Sequence, residues 1–145
     1  MKLTISGLTE TGDPVTLITT VQGRAYPDAP LPDDANWLTV RVEAALPGYR
    51  ADFTGRVRTE DFAEFLRELR HMHEAQTGIA AFCPPEELIS LRGLMDDLGQ
   101  VHWTAVTTFP PGGAVLSFEL TSEAGQLPGW IAALEGVCRQ FPVVG

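Results

Sequence analysis

Hydrophobic and polar side chains alternate most regularly between residues 38 and 57, and this alternation predicts a β-hairpin. One face of its first strand is apolar, formed by Leu38, Val40, Val42 and Ala44. On the other face, unlike charges favour a register with Arg41 opposite Asp52 and Glu43 opposite Arg50, since each opposed unlike pair contributes roughly 0.2–1 kcal/mol. This register predicts a longer loop over residues 45–48 rather than a tight turn at Pro47-Gly48.

Six further strands are predicted from β-branched and alternating runs separated by turn signals: residues 2–6, 15–21, 79–83, 88–95, 100–109 and 114–121. Between the second strand and the hairpin, residues 23–36 contain three prolines and are predicted to lack regular structure. This is the longest predicted loop, and long loops in compact domains often carry function.

Two amphipathic helices are predicted from apolar residues at the spacing of one helical face. The first covers residues 59–74, with Thr59 as N-cap, and its stripe consists of Phe62, Phe65, Leu66, Leu69 and Met72. The second begins near Leu127-Pro128, and its stripe consists of Leu127, Trp130, Ile131, Leu134, Val137, Cys138 and Phe141.

The order of these elements is ββββα-ββββα, which predicts an α+β fold with about eight strands in a mainly antiparallel sheet and two amphipathic helices on one face or end. A length of 145 residues is typical of one domain, and we expect residues 1–145 to form it.

The charge balance restricts the kinds of partner. Nineteen acidic against ten basic residues give a net charge of −9, which repels nucleic acid and anionic membranes and favours a basic protein. The chain has no apolar run of ~18 residues and its N-terminus lacks a hydrophobic signal region, so we expect a cytoplasmic protein.

The sequence predicts no catalytic residues, no metal and no cofactor. It lacks nucleotide-binding, hydrolase and metalloprotease motifs, and its two cysteines, Cys83 and Cys138, are interpreted as buried free thiols. His71 and His73 lie on different sides of the first helix and cannot share a metal, while His102 is interpreted as a lone surface histidine.

Two surfaces are candidates for binding. The exposed side of the first helix carries an acidic ridge, defined as Glu60, Asp61, Glu64 and Glu68, which is either a docking surface or an ordinary solvated face. The back of the second helix carries small residues where charges are usual, namely Gly129, Ala132, Ala133 and Gly136. This small-residue face suits close packing, including packing in a homodimer.

The run from Asp34 to Val42, with its Ala35-Asn36-Trp37-Leu38 core and Val40-Arg41-Val42 ending, resembles the WapI-type immunity proteins. Agreement continues through the Phe62-x-x-Phe65-Leu66-x-x-Leu69 helix, Gly99-x-Val101, Leu116-x-Phe118 and the final amphipathic helix. The resemblance implies a small bacterial protein that neutralises the toxic C-terminal domain of a contact-dependent polymorphic toxin. Such toxins are often nucleases with basic grooves, which a chain of charge −9 complements.

If the resemblance holds, the mechanism is stoichiometric occlusion of the toxin. Trp37 beside the acidic loop residues Asp28, Asp33 and Asp34 is the candidate contact, since aromatic anchors dominate interface energetics, although a core tryptophan at a strand start is the other interpretation. Two other functions stay open: a small-molecule-binding or enzymatic domain with a cavity between sheet and helix, and a homo-oligomeric structural module.

Overall fold

The computed structural model describes residues 1–86 and 88–144, including every side chain in these ranges except those of Pro32 and Asp33. The strands of this described part are Lys2–Leu8 (β1), Pro14–Arg24 (β2), Trp37–Leu46 (β3), Tyr49–Arg58 (β4), Gly78–Phe82 (β5), Ile89–Met95 (β6), Val101–Phe109 (β7) and Ala114–Ser122 (β8). The helices are Pro32–Ala35 (α1), Thr59–Ala75 (α2) and Leu127–Gln140 (α3), with a 3-10 turn at Ala124–Gln126 before α3.

The predicted α+β class and the order ββββα-ββββα are confirmed. The prediction that residues 23–36 lack regular structure is wrong at two places, because β2 continues to Arg24 and α1 begins at Pro32. Proline is compatible with the first turn of a helix, where its missing N–H would have no helical partner. α1 is a single turn that lies within the connection from β2 to β3.

The strands form one antiparallel sheet in the order β4-β3-β2-β1-β8-β7-β6-β5, so each half of the chain is a four-stranded meander. Aligned buried residues mark the inner face of the sheet, since directly paired residues share a face. In the first meander the aligned row is Leu3, Thr19, Val42 and Phe53. In the second it is Ala80, Gly93, Trp103 and Leu120. Gly93 leaves the room that the Trp103 ring requires, because a Cβ there would lie 2.7 Å from the ring.

The two meanders meet at a seam between β1 and β8, where the described backbone pairs at Leu8 and Thr121. Towards the start of β1, side chains rather than the β8 backbone form the hydrogen bonds to the backbone of β1. Gln126 accepts from the Ser6 N–H at 3.3 Å and donates to the Ser6 carbonyl at 2.9 Å, and Trp130 Nε1 donates to the Thr4 carbonyl at 3.0 Å. The side chains therefore satisfy backbone groups that a neighbouring strand would otherwise pair.

The sheet curls so that its first edge approaches the second meander. β4 and β7 lie five places apart in the strand order, yet the rings of Phe53 and Phe109 stack with centroids 5.0 Å apart. Gly55 of β4 contacts the Leu88 side chain so closely that no Cβ would fit there. Leu88 in turn accepts a backbone bond from Thr108 at 3.0 Å.

Both helices cover the inner face, with α2 against β5 and α3, and α3 against β1. Aromatic rings connect them. Phe65 of α2 lies 5.3 Å from Phe82 and 6.1 Å from Trp103, and Trp103 lies 5.3 Å from Trp130 of α3, all between ring centroids. The apolar stripe predicted for α2 is confirmed, since all five of its residues are buried.

The turn predicted for the β3–β4 hairpin is wrong. The observed register sets Glu43 opposite Asp52, with a tight turn at Pro47-Gly48. Gly48 has φ +79°, a conformation that glycine adopts readily. Arg41 removes the expected repulsion by reaching diagonally to Asp52, with N–O distances of 2.9 and 2.7 Å, while lying 3.7 Å from Glu43. This bidentate contact holds the pKa of Asp52 below its usual value.

Thr59 is not the N-cap of α2 but its first residue, and it is buried. Its N–H donates to the Asn36 carbonyl at 2.9 Å. The cap position belongs to Arg58, whose backbone N–H donates to the Asp61 carboxylate at 3.1 Å. The start of α2 is thus fixed to the start of β3.

Replacing Gln126 by leucine tests the seam. The change leaves the half-buried N–H of Ser6 without its partner and removes one of the bonds to its carbonyl, and the cost is about 1 kcal/mol, at the low end of the range for an unsatisfied group. We expect Gln126→Leu to lower the free energy of unfolding by that amount in urea titrations. Gln140→Leu, an exposed site at the end of α3, is the matched control. Equal stability of the two variants would contradict the role given to the seam.

Candidate functional site

An open cleft of about 560 Å³ lies where the β2–β3 connection meets the start of β3, and it is lined by Tyr26, Ala29, Pro30, Asp34, Trp37, Arg56 and Glu86. The Trp37 ring is half-exposed. The Trp37 backbone is fixed on two sides, since it pairs with Arg58 of β4 and its carbonyl accepts from the Ala25 N–H at 2.9 Å. A rigid strand therefore presents a partly exposed indole at the surface.

Two arginines of β4 lie on the aromatic rings of this cleft. The Arg56 guanidinium is 5.6 Å from the centre of the Tyr26 ring and also donates to the Tyr26 hydroxyl. The Arg58 guanidinium is 5.9 Å from the centre of the Trp37 ring and forms an ion pair with Asp61 at 3.2 Å. Cation–π contacts at exposed sites contribute about 0.5–1 kcal/mol each, so they favour these ring positions at the cleft.

The acidic loop residues predicted as contacts are placed differently by the fold. Asp34 lines the cleft, whereas Asp28 is exposed outside its lining. The side chain of Asp33 lies outside the described residues. The sequence analysis missed Tyr26 and Glu86, which the fold brings to Trp37 from the β2–β3 and β5–β6 connections. Nothing in the sequence signalled this meeting, because the two connections are far apart in the chain.

The acidic ridge of α2 is largely engaged within the chain. Asp61 caps α2 and pairs with Arg58, and Glu68 accepts from the Ala81 N–H of edge strand β5 at 3.0 Å. Glu64 is exposed and pairs with Arg67. Glu60 is half-exposed, but its Oε1 is buried and has no hydrogen-bond partner among the described residues. Residues of the ridge therefore cap the start of α2, cover the edge of β5 and form ion pairs with neighbouring arginines.

The small-residue face of α3 is also partly covered by the chain itself. Gly136 is buried under the Met1 side chain, whose terminal methyl group would have to move aside for a Cβ at that position. Ala133 is half-buried and packs on the core, while Gly129 and Ala132 are exposed. At Gly136, this face therefore already packs closely against another part of the same chain.

His102 is not a lone surface histidine. Its Nε2 lies 2.7 Å from Asp96 Oδ2 and its Nδ1 lies 3.0 Å from Thr121 Oγ1, on the exposed outer face of the sheet. This is the order of groups found in hydrolytic triads. Here, however, Asp96 Oδ1 accepts the backbone N–H groups of Leu98 and Gln100 at 2.9 Å. The cluster joins the β6–β7 turn to β8.

The remaining candidates for chemistry are dispersed. Cys83 and Cys138 are free, as expected, but Cys83 is exposed rather than buried, because its side chain lies beyond the end of β5. Partial burial raises the pKa of the Cys138 thiol. In the described residues no three His, Cys, Asp or Glu side chains are grouped to hold a metal ion. No helix of this part is long and apolar enough to cross a membrane.

Comparison with known protein families gives the family of the chain. The model of the immunity protein WapI-like family matches residues 8–142, which covers nearly the whole chain. The chain belongs to this family. No curated protein gives a significant match. The resemblance inferred from the run Asp34 to Val42 is thereby confirmed, and the WapI-like family assigns the chain a function in immunity, with a toxin as its general kind of partner.

Within this WapI-like chain, the residues that carried the resemblance have separate roles. Asn36 is buried and fixed by hydrogen bonds, whereas Trp37 next to it is half-exposed at the cleft. The core interpretation of Trp37 is therefore only half right, because one part of the ring is covered by Arg58 and another part faces the cleft.

The Asp96–His102 contact predicts a pH dependence. The hydrogen bond from His102, aided by the two backbone N–H donors, lowers the pKa of Asp96. We expect NMR titration of the carboxyl carbon to give a midpoint below the ordinary value of about 3.9. Because the folded pKa is the lower one, the stabilisation is complete above the ordinary value and is lost as the pH falls through the folded one.

The control variant is His102→Ala, in which the Asp96 midpoint should rise towards the ordinary aspartate value while the bonds to Leu98 and Gln100 keep part of the shift. An unchanged midpoint in this variant would mean that His102 is not the main cause.

Proposed function

We propose that the chain neutralises its toxin by binding the toxin domain stoichiometrically through the Trp37 cleft, and that this domain is a basic protein. The single observation that carries the proposal is the half-buried Trp37, whose backbone is held in β3, whose ring is covered by Arg58, and which lines an open cleft. Preformed aromatic anchors in pockets are the usual centres of binding energy in protein interfaces.

Two carboxylates, Asp34 and Glu86, outnumber the one arginine, Arg56, in the lining of the Trp37 cleft, and this balance favours a basic partner. Asp28, Asp34 and Glu86 are exposed, and none of them forms an ion pair with another described residue. The whole chain has a charge of −9. Opposite fields accelerate the encounter of two proteins and select against partners of the same sign. A toxin with a cationic substrate groove, such as a nuclease, fits this surface.

Occlusion accounts for neutralisation without any reaction by the immunity protein. The inner face of the sheet is packed with apolar side chains and covered by α2 and α3, so contact with a large partner has to occur on the outside. A partner that buries about 800 Å² on each side would cover an active groove completely. The toxin then loses access to its substrate for as long as the complex persists.

Truncation of the indole tests the anchor. The measurement is the affinity, by calorimetry, for a catalytically inactivated C-terminal domain of the toxin that this chain neutralises. We expect Trp37→Ala to weaken binding by about 2 kcal/mol, or about 30-fold, because hot-spot aromatics contribute at least this much. Tyr49→Ala is the matched control, since Tyr49 is an aromatic residue with 63% exposure at the β3–β4 turn. Equal losses in both variants would place the anchor elsewhere.

Neutralising the acidic residues tests the charge complementarity. We expect the double variant Asp34→Asn, Glu86→Gln to slow association at low salt and to show a weaker salt dependence of the association rate, because steering between exposed charges is screened. Asp97→Asn, an exposed carboxylate in the β6–β7 turn, should associate like the unaltered chain. Stopped-flow mixing with the same inactivated toxin domain measures these rates. Association that is insensitive to salt would rule out a basic partner.

A further inference from the structure

A second open cleft, the turn-end cleft, is lined by Phe53, Thr107, Phe109, Leu116 and their neighbours in β4, β7 and β8, and its volume is about 260 Å³. It lies at the end of the sheet that carries the β3–β4 and β7–β8 turns, whereas α2 begins at the opposite end of β4. Its lining residues differ from those of the Trp37 cleft. The two clefts are therefore separate features of the fold.

The walls of the turn-end cleft are mainly apolar and partly aromatic. The rings of Phe53 and Phe109 stack with centroids 5.0 Å apart and planes 11° from parallel. Leu116 is half-buried, and Phe109 remains 45% exposed although it is a large apolar side chain. Such walls favour a flat apolar ring, which packs well on aromatic faces.

One buried polar side chain belongs to this lining. Thr107 is only 2% exposed, yet its hydroxyl forms no hydrogen bond with any described residue. Its side chain lies on the inner face of the sheet, since its paired neighbours are the buried Ile89 and the half-buried Leu116. Buried hydroxyls are nearly always hydrogen-bonded, because an unpaired one costs free energy. The unpaired hydroxyl therefore indicates a place for a hydrogen-bonding group inside the cleft.

The rim of the turn-end cleft carries two opposite charges, Arg50 and Asp52, both of them exposed. Asp52 already accepts two hydrogen bonds from Arg41, at 2.9 and 2.7 Å. The charge of Arg50 acts on the same carboxylate and contributes to its lowered pKa. The charges of the rim thus offset one another, and they offer no excess charge to an ionic ligand.

We propose that the turn-end cleft binds a small uncharged phenol, whose ring packs against Phe109 and whose hydroxyl forms a hydrogen bond with Thr107 Oγ1. The volume of about 260 Å³ lies below the range of about 300–1,000 Å³ usual for drug-sized ligands, which limits the ligand to a single ring with small substituents. The mouths of closed or curled sheets are common places for such sites. This inference goes beyond the proposed function and does not depend on the Trp37 cleft.

Titration of the full chain with p-cresol, followed by NMR of the backbone amides, tests the site. We expect saturable shifts centred on the cleft residues of β4, β7 and β8, with a Kd at or below about 1 mM. Toluene, which lacks the hydroxyl, should bind about fivefold more weakly because it cannot bond to Thr107. Shifts that do not saturate, or that spread over the whole surface, would show that the cleft holds only water.

Thr107→Val tests the hydroxyl, because valine keeps the shape of the side chain and removes its polar group. We expect p-cresol to bind about fivefold more weakly to this variant, with the affinity for toluene unchanged. Thr104→Val, an exposed threonine of the same strand, is the matched control and should leave both affinities unchanged. Full affinity of Thr107→Val for p-cresol would overturn the proposal.

Thermal unfolding of Thr107→Val tests the same hydroxyl without any ligand. We expect a melting temperature equal to or above that of the unaltered chain, because valine suits a strand and no hydrogen bond within the chain is lost. A melting temperature lower by about 3 °C or more would mean that the hydroxyl already has a partner in the free protein, and the inference would then be wrong.

Discussion

A curled sheet closed around apolar side chains is the constraint on which the rest of this structure depends. The aligned buried rows of the two meanders face α2 and α3, and the ring contacts from Phe65 through Trp103 to Trp130 fill the space between them. A domain of this size gains most of its stability from such burial. Because the inner face is occupied in this way, the residues available to a partner lie on the outer face of the sheet, on the exposed sides of the helices and on the connections.

At three places where the regular pairing of the strands stops, side chains form the hydrogen bonds to backbone groups. Gln126 does so for Ser6 at the seam between the meanders, Glu68 for Ala81 at the β5 edge, and Asn36 for Val144 at the chain end. Each amide or carboxylate offers the hydrogen-bonding groups that a neighbouring strand would have supplied. In the last case the same device fixes the residue that directly precedes Trp37.

The acidic residues fall into two groups, those that are paired within the chain and those without an ion-pair partner among the described residues. Asp61, Glu64 and Glu68 of the α2 ridge are engaged with Arg58, Arg67 and the β5 backbone. Carboxylates around the Trp37 cleft have no such partner in the described part of the chain. A net charge of −9 states only the sign of the field, whereas the fold decides where that field is free to act on a partner.

The sequence by itself determined the eight strands and the helices α2 and α3, because alternation with period two and stripes with period 3.6 are local properties of the chain. It also determined the family, through the Asn36-Trp37 run and the pattern around it. The turn predicted from the sequence between β3 and β4 was wrong, since the diagonal contact of Arg41 with Asp52 cannot be read from the order of the residues. Only the tertiary structure decided that Glu86 shares a cleft with Trp37 and that Val144 binds Asn36, because residues 49 and 108 positions apart meet only once the strands and helices have packed together.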